Sequence, residues 1–125
     1  MQKLARIFGV VFVAIGVLGF VPGITSDGSL LGIFQVDTMH NIIHLITGVL
    51  AFWAASGAGK NARLFFQVFG VVYAIVTVVG FMQGDTVLGI IAVNMADNVL
   101  HLVIAVGALY VGFGMKEAAG APVTV

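Results

Sequence analysis

Residues 31–51 read LGIFQVDTMHNIIHLITGVLA, and residues 88–108 read LGIIAVNMADNVLHLVIAVGA. A constant shift of 57 positions places Leu31, Gly32, Ile33, Val36, Asn41, His44, Leu45, Val49 and Ala51 on identical residues, nine of twenty-one. Where polar positions differ, Asp37 meets Asn94 and His40 meets Asp97. Each copy therefore carries two donor or ligand groups four residues apart, His40 with His44 and Asp97 with His101, and on a helix such pairs share one face.

The echo extends outward. Residues 8–23 match residues 69–84 at a shift of 61, with eight identities in sixteen. The two shifts differ by four, and the four residues fall in one loop, between Gly23 and Gly32 in the first copy and Gly84 and Gly89 in the second. The chain reads as a duplication whose unit is helix, outer loop, short apolar stretch, polar cap, helix. A unit with two spans returns the chain to its starting side. The repeats are then parallel, about a pseudo-two-fold axis along the membrane normal that pairs the second helix with the fourth.

Composition sets the solvent. Charged residues make up 8% of the chain, against about 25% in soluble domains, while 61% is hydrophobic and the mean hydropathy is +1.18. A soluble chain of 125 residues has too little interior to hide that much apolar surface. Spanning segments are expected at about Leu4 to Val21, Thr38 to Ala55, Ala62 to Met82 and Met95 to Met115, each suited to a hydrocarbon core of about 30 Å. Lys3 and Arg6 ahead of an apolar run resemble a signal peptide, but no small-residue cleavage site follows at Phe20-Val21-Pro22-Gly23, and the segment has its own echo. It is read as an uncleaved first helix.

The expected fold is an all-α membrane protein, a four-transmembrane-helix bundle of two parallel tandem repeats of a helical hairpin. It forms a single domain over 1–125, with repeats at about 4–55 and 62–115. The middle stretch SGAGKNA, residues 56–62, reads as a flexible loop, and 116–125 reads as a flexible tail. Lys3, Arg6, Lys60, Arg63 and Lys116 all fall on one side of the spans, which the positive-inside rule makes cytoplasmic. Both termini are then cytoplasmic, in a multi-pass protein of the cell inner (plasma) membrane. Cysteine is absent, so there are no disulfides or thiolate metal sites. A net charge of zero without a basic run gives no reason to expect nucleic acid.

Asp37 and Asn94 are suited to cap the second and fourth helices. Below them Asp37, His40, Asn41, His44, Gly48 and Ala51 share one face, as do Asn94, Asp97, Asn98, His101, Ala105 and Ala108. The small residues Gly48, Ala51, Ala55, Ala105, Ala108 and Gly112 are expected to let these two helices approach closely, bringing His44 near His101 and His40 near Asp97. The runs Leu30 to Val36 and Val87 to Val93 are too short to cross and are read as connectors, or lids, at the outer interface. Trp53, Tyr73, Tyr110 and the phenylalanines are read as lipid contacts or interface anchors.

Three readings of the polar face stay open. One is a hydrogen-bonded lock between helices. Another is a metal site with His40, His44, Asp97 and His101 as ligands of zinc, copper or iron, and Asp37, Asn41, Asn94 and Asn98 as outer partners or helix-packing groups. A haem between His44 and His101 is less favoured, because no Lys or Arg lies on the outer side to meet propionates. Met39, Met82 and Met95 near the same mouth suggest a soft metal, or simple apolar filling. The third is an enzyme or proton relay, for which no serine-histidine-acid set, phosphate loop or HExxH pattern is present.

The glycine-containing apolar run, the polar cap and the double motif Asn41-Ile42-Ile43-His44-Leu45 and Asn98-Val99-Leu100-His101-Leu102 resemble the small four-span bacterial membrane proteins of domain of unknown function 4383. That resemblance implies the four-span fold, with Asp97 as the aspartate of the second copy, and implies no activity. A structural or binding protein in the lipid bilayer is expected ahead of an enzyme. A small transporter acting as a homo-oligomer, or with a membrane protein partner, is the alternative active role.

Overall fold

The structure, a computed structural model, describes residues 1–116. The tail expected to be flexible lies, from residue 117 on, outside the described residues. Four long helices dominate: α1 (Gln2–Leu18), α2 (Thr38–Ser56), α3 (Gly59–Gln83) and α4 (Met95–Leu109), the last continued by a π-helical turn over Tyr110–Gly114. The α2 helix, the α3 helix and the unit Met95–Gly114 are long and apolar enough to cross a membrane. Their outward faces carry large apolar side chains along their whole length, including Ile46, Val49, Leu64, Val68, Val103 and Val106, each more than half exposed. In water such a surface drives aggregation; in hydrocarbon it is the contact surface.

Helix ends have local causes. The α1 helix stops at Leu18, short of the expected Val21, because Pro22 disfavours helix at the residue before it and the Thr25 hydroxyl takes the Leu18 carbonyl at 2.9 Å. The stretch expected as a flexible middle loop is mostly helix, since α3 already begins at Gly59 and only Gly57 and Ala58 join it to α2. Gln2 on α1 donates to the Gly57 carbonyl. Arg63 donates to the carbonyls of Gly112 at 3.1 Å and Met115 at 2.8 Å, so the carbonyls at the C-terminal end of the π turn are met by a cation. Those contacts gather Lys3, Arg6, Lys60, Arg63 and Lys116 at one end of the molecule.

The outer connectors depart from the all-α expectation. Asp27 and Gly28 both take positive φ, at 51° and 73°, and turn β1 (Thr25–Ser26) back on β2 (Ser29–Leu30), the two-residue turn that Asp-Gly favours. Leu30 then pairs with Phe34 in β3 (Phe34–Gln35) around Leu31-Gly32-Ile33. The second copy does the same, Val87 of β4 (Thr86–Val87) pairing with Ile91 of β5 (Ile91–Ala92) around Leu88-Gly89-Ile90. The runs read as greasy connectors are thus antiparallel ribbons. Leu30, Val36, Val87 and Val93 bury beneath them, while Leu31, Ile33, Leu88 and Ile90 are exposed at the tips.

Packing also differs from the expected pairing of the second helix with the fourth. The extensive helix contacts are α1 with α2 and α3 with α4. A Cβ on Gly48 would meet Val13 and the Gly9 carbonyl of α1, and one on Gly112 would meet the Gln67 backbone of α3. These small residues let helices approach within each hairpin instead of across the axis. The hairpins meet through aromatic rings: Phe8 stacks on Phe12 and packs edge-on against Phe65, Phe66 and Phe69. Phe12, Phe66, Phe69 and Tyr73 are at least nine-tenths buried. Four residues read as lipid contacts are therefore core, while Trp53 and Tyr110 do face outward.

Candidate metal centre

The N-terminal ends of α2 and α4 are fixed by two carboxylates that do equivalent work from different positions. Asp37 caps α2, one oxygen accepting from the His40 N–H at 2.7 Å and the other from the Ala92 N–H in β5 at 2.9 Å. In the second copy Asn94 is the cap. Asp97, three residues on, accepts from the N–H groups of both Asn94 and Gln35, at 2.9 Å each, closing a capping box. Gln35 and Ala92 are the same ribbon position in the two copies, 57 residues apart. Each ribbon is held by the acid of the opposite helix, and Asn94 adds a bond from its amide to the Ile33 carbonyl at 2.8 Å.

This arrangement relieves position 40 of capping. With the acid moved to Asp37, the third helical residue of α2 is free to be histidine. His40 Nδ1 lies 2.7 Å from the Ala92 carbonyl. A carbonyl only accepts, so Nδ1 carries the proton, and in the neutral tautomer Nε2 is left as the acceptor nitrogen. Nε2 is buried and has no partner. His44 and His101 are buried too, and Nδ1 of each is likewise without a partner.

One ring nitrogen from each of His40, His44 and His101 lies within 4.8 Å of the others. The ring centroids of His40 stand 4.5 Å from those of His44 and 5.7 Å from those of His101. Beneath them the Phe12 ring meets His44 edge-on at 5.4 Å, and the Tyr73 ring meets His101 at 5.3 Å. Phe12 and Tyr73 are equivalent under the shift of 61, so both copies floor their histidine with an aromatic ring. Three imidazoles this close together are, in their neutral form, a donor set suited to zinc, copper or iron. The carbonyl bond on the far nitrogen of His40 is the outer partner that orients a ligating imidazole. To hold a tetrahedral ion the trio would close from within 4.8 Å to the spacing of about 3.3 Å that bonds of about 2.05 Å require.

Of the residues singled out in the sequence, the structure gathers the three histidines and leaves Asp97 outside the group, its carboxylate engaged by backbone. Asn41 donates to the Gly19 carbonyl at 2.9 Å, and Asn98 packs against Gly80, so both lie between the helices of a hairpin. Met39, Met82 and Met95 are exposed and contribute nothing to the cluster. Sequence reasoning missed the cross-bonds of Gln35 and Ala92, which come from backbone groups and leave no side-chain signal. It also missed Phe12 and Tyr73 as the floor, although their equivalence in the echo was available.

The match to known families is direct. A family model described as domain of unknown function (DUF4383) covers residues 2–114. The chain belongs to that family. The match takes in every helix of this DUF4383 protein, both ribbons and all three histidines. No curated protein and no solved structure matches it.

Proposed function

We propose that this DUF4383 protein is a four-span bacterial inner-membrane protein that binds one divalent transition metal ion, zinc, copper or iron, through His40, His44 and His101. The observation that carries the reading is that three buried imidazoles each keep a ring nitrogen without a partner, in rings that offer one nitrogen apiece within 4.8 Å of the others. A purely structural lock would pair them, since a buried polar group left unsatisfied costs about 1–3 kcal/mol. The locking role falls instead to Asp37, Asp97 and Asn41, whose bonds are made. An ion suits the trio better than a haem between His44 and His101, because His40 stands within 4.8 Å of both, where the porphyrin would lie.

Several features support the membrane topology that goes with this reading. The α1 helix, at 17 residues and about 26 Å, nearly matches the hydrocarbon core and is proposed as the fourth span. The echoed contacts of the two hairpins support tandem repeats at about 4–55 and 62–115 within one domain. The basic end, with both termini, is assigned to the cytoplasm, which puts the histidines in the outer half of the bilayer.

Elemental analysis of protein purified without a histidine tag tests the function. One equivalent of metal per chain is expected, with a fall in thermal stability on chelation, and with the metal lost in His40→Gln, His44→Gln and His101→Gln variants that keep their helical content. Substoichiometric metal and indifference to chelator would leave the polar face as a lock alone.

A further inference from the structure

Two grooves run along the bundle, and comparing them says what one of them holds. The larger, about 520 Å³, lies between α2 and α3. Between its ends it is mostly apolar, lined by side chains such as Leu50, Leu64, Val68, Val72 and Val76, with Thr47 and Tyr73 as the polar exceptions. From Val76 to Asn61 it follows α3 over sixteen residues, about 22 Å for fifteen rises of 1.5 Å, most of the depth of a bilayer core. Its outer end is closed by His40 and His101. The smaller, about 380 Å³, lies between α1 and α4 and is its counterpart under the internal echo, since α1 answers to α3 and α4 to α2. It is lined by apolar residues and glycine, with no histidine. A crevice that merely accommodates bulk lipid needs no polar end. Of two equivalent crevices, one leads to two buried imidazoles whose free nitrogens are unpartnered.

Charge narrows the occupant. All five Lys and Arg residues sit at the opposite end, and the charged side chains at the outer end are the carboxylates Asp27, Asp37, Asp85 and Asp97. An anionic headgroup would meet no cation there and several like charges. A neutral head bearing a hydroxyl or carbonyl oxygen fits what is available: a hydroxyl can donate to an unpartnered imidazole nitrogen, and either oxygen can take the position that a three-nitrogen ion leaves open. We infer that the α2–α3 groove is the lateral entry and chain site for a neutral, membrane-dissolved amphiphile of quinone or quinol type, its head oxygen directed to the His40–His101 end. The inference rests on the metal reading for the ion's open position, and deepens it by naming what approaches the ion.

Native mass spectrometry of the zinc-loaded protein, released from phosphatidylcholine nanodiscs and offered decylubiquinone, counts ion and amphiphile on the same molecule. One zinc and one decylubiquinone per chain are expected. Val68→Trp and, separately, Leu64→Trp fill the groove from positions more than half exposed. Each is expected to lower the decylubiquinone adduct at least tenfold while zinc is retained, which also certifies the fold. Val11→Trp, in the opposite groove, is expected to keep both. Zinc bound without a decylubiquinone adduct, or with an adduct equally abundant in the filled-groove variants or no more abundant than phosphatidylcholine, overturns the inference and leaves the metal reading standing. A groove-dependent adduct without zinc supports the amphiphile site and overturns the metal.

Discussion

Replacing Gly19, Gly80 or Gly107 by alanine adds the same methyl group at one helix C-cap and two helix interiors and should give three different outcomes. At Gly107 on α4 a Cβ meets nothing within 4 Å. There Gly107→Ala removes only the backbone entropy that glycine loses in a helix, and should stabilise by about 0.5–1 kcal/mol. At Gly80 the new Cβ would press into the Asn98 amide, with Cγ at 3.1 Å. Asn98 makes no side-chain hydrogen bond, so its amide has none to lose by turning, and the cost is that of overpacking, about 1–3 kcal/mol. At Gly19 the Cβ would collide with the whole Asn41 amide, including Nδ2 at 2.8 Å. That amide is buried and bonded to Gly19's own carbonyl. Relieving the clash breaks a buried bond as well, adding about 1–3 kcal/mol. Backbone strain plays no part, because Gly19 has an ordinary helical φ of −62°. The expected order of stability is Gly107→Ala above wild type, then Gly80→Ala, then Gly19→Ala at about 2–6 kcal/mol below wild type. Unfolding by sodium dodecyl sulfate in mixed micelles, followed by far-ultraviolet circular dichroism, reads the series. If Gly19→Ala lay within about 0.5 kcal/mol of wild type, the scatter of an ordinary surface substitution, or above Gly80→Ala, the helix crossing at Asn41 would be wrongly described.

Other perturbations address separate parts of the molecule. Asp97→Ala strips the acceptor from two backbone N–H groups and should cost about 2–4 kcal/mol, with faster amide hydrogen exchange at Gln35; unchanged exchange there would refute the cross-bond. Asp37→Ala frees Ala92, whose carbonyl orients His40, and should weaken metal binding about 10–100-fold in a competition titration with a chromophoric chelator. Single cysteines at Ser26 and Ser56, both exposed, should react with an impermeant maleimide in whole cells at Ser26 only; labelling at Ser56 alone would invert the topology. Arg63→Ala should speed hydrogen exchange through the π-helical turn at Tyr110–Gly114 while leaving the outer ribbons unchanged, as expected if the guanidinium holds the Gly112 and Met115 carbonyls.

The helices, three of them long and apolar enough to cross a membrane, and the polar caps were legible because each follows from periodicity or local chemistry within one segment. What was not legible concerns partners. The stripe of Gly48, Ala51 and Ala55 shows that a helix offers a close-packing face but not which neighbour takes it, and the neighbour of Gly48 is α1 rather than α4. Phe12, Phe66, Phe69 and Tyr73 look like lipid contacts in a chain where almost everything is apolar, since hydrophobicity carries no inside-outside signal once the solvent is hydrocarbon. The Asp27-Gly28 turn was readable from its residue types and was passed over beside the larger helical signal. At the site, Asn94-x-x-Asp97 could have been read as a capping box, which would have moved Asp97 from ligand to scaffold. The identity of His40's partner could not, because it is a main-chain carbonyl 52 residues away.

X-ray absorption at the edge of the metal carried by tag-free protein addresses the central claim most directly, since it reports the atoms around the ion. Convergence of His40, His44 and His101 predicts three imidazole nitrogens, at about 2.0–2.1 Å if the metal is zinc, with the outer-shell scattering of rigid imidazole rings and one further light-atom ligand. In His44→Gln the imidazole count should fall to two. A first shell of oxygens, or an imidazole count unchanged in that variant, would contradict the three-histidine centre.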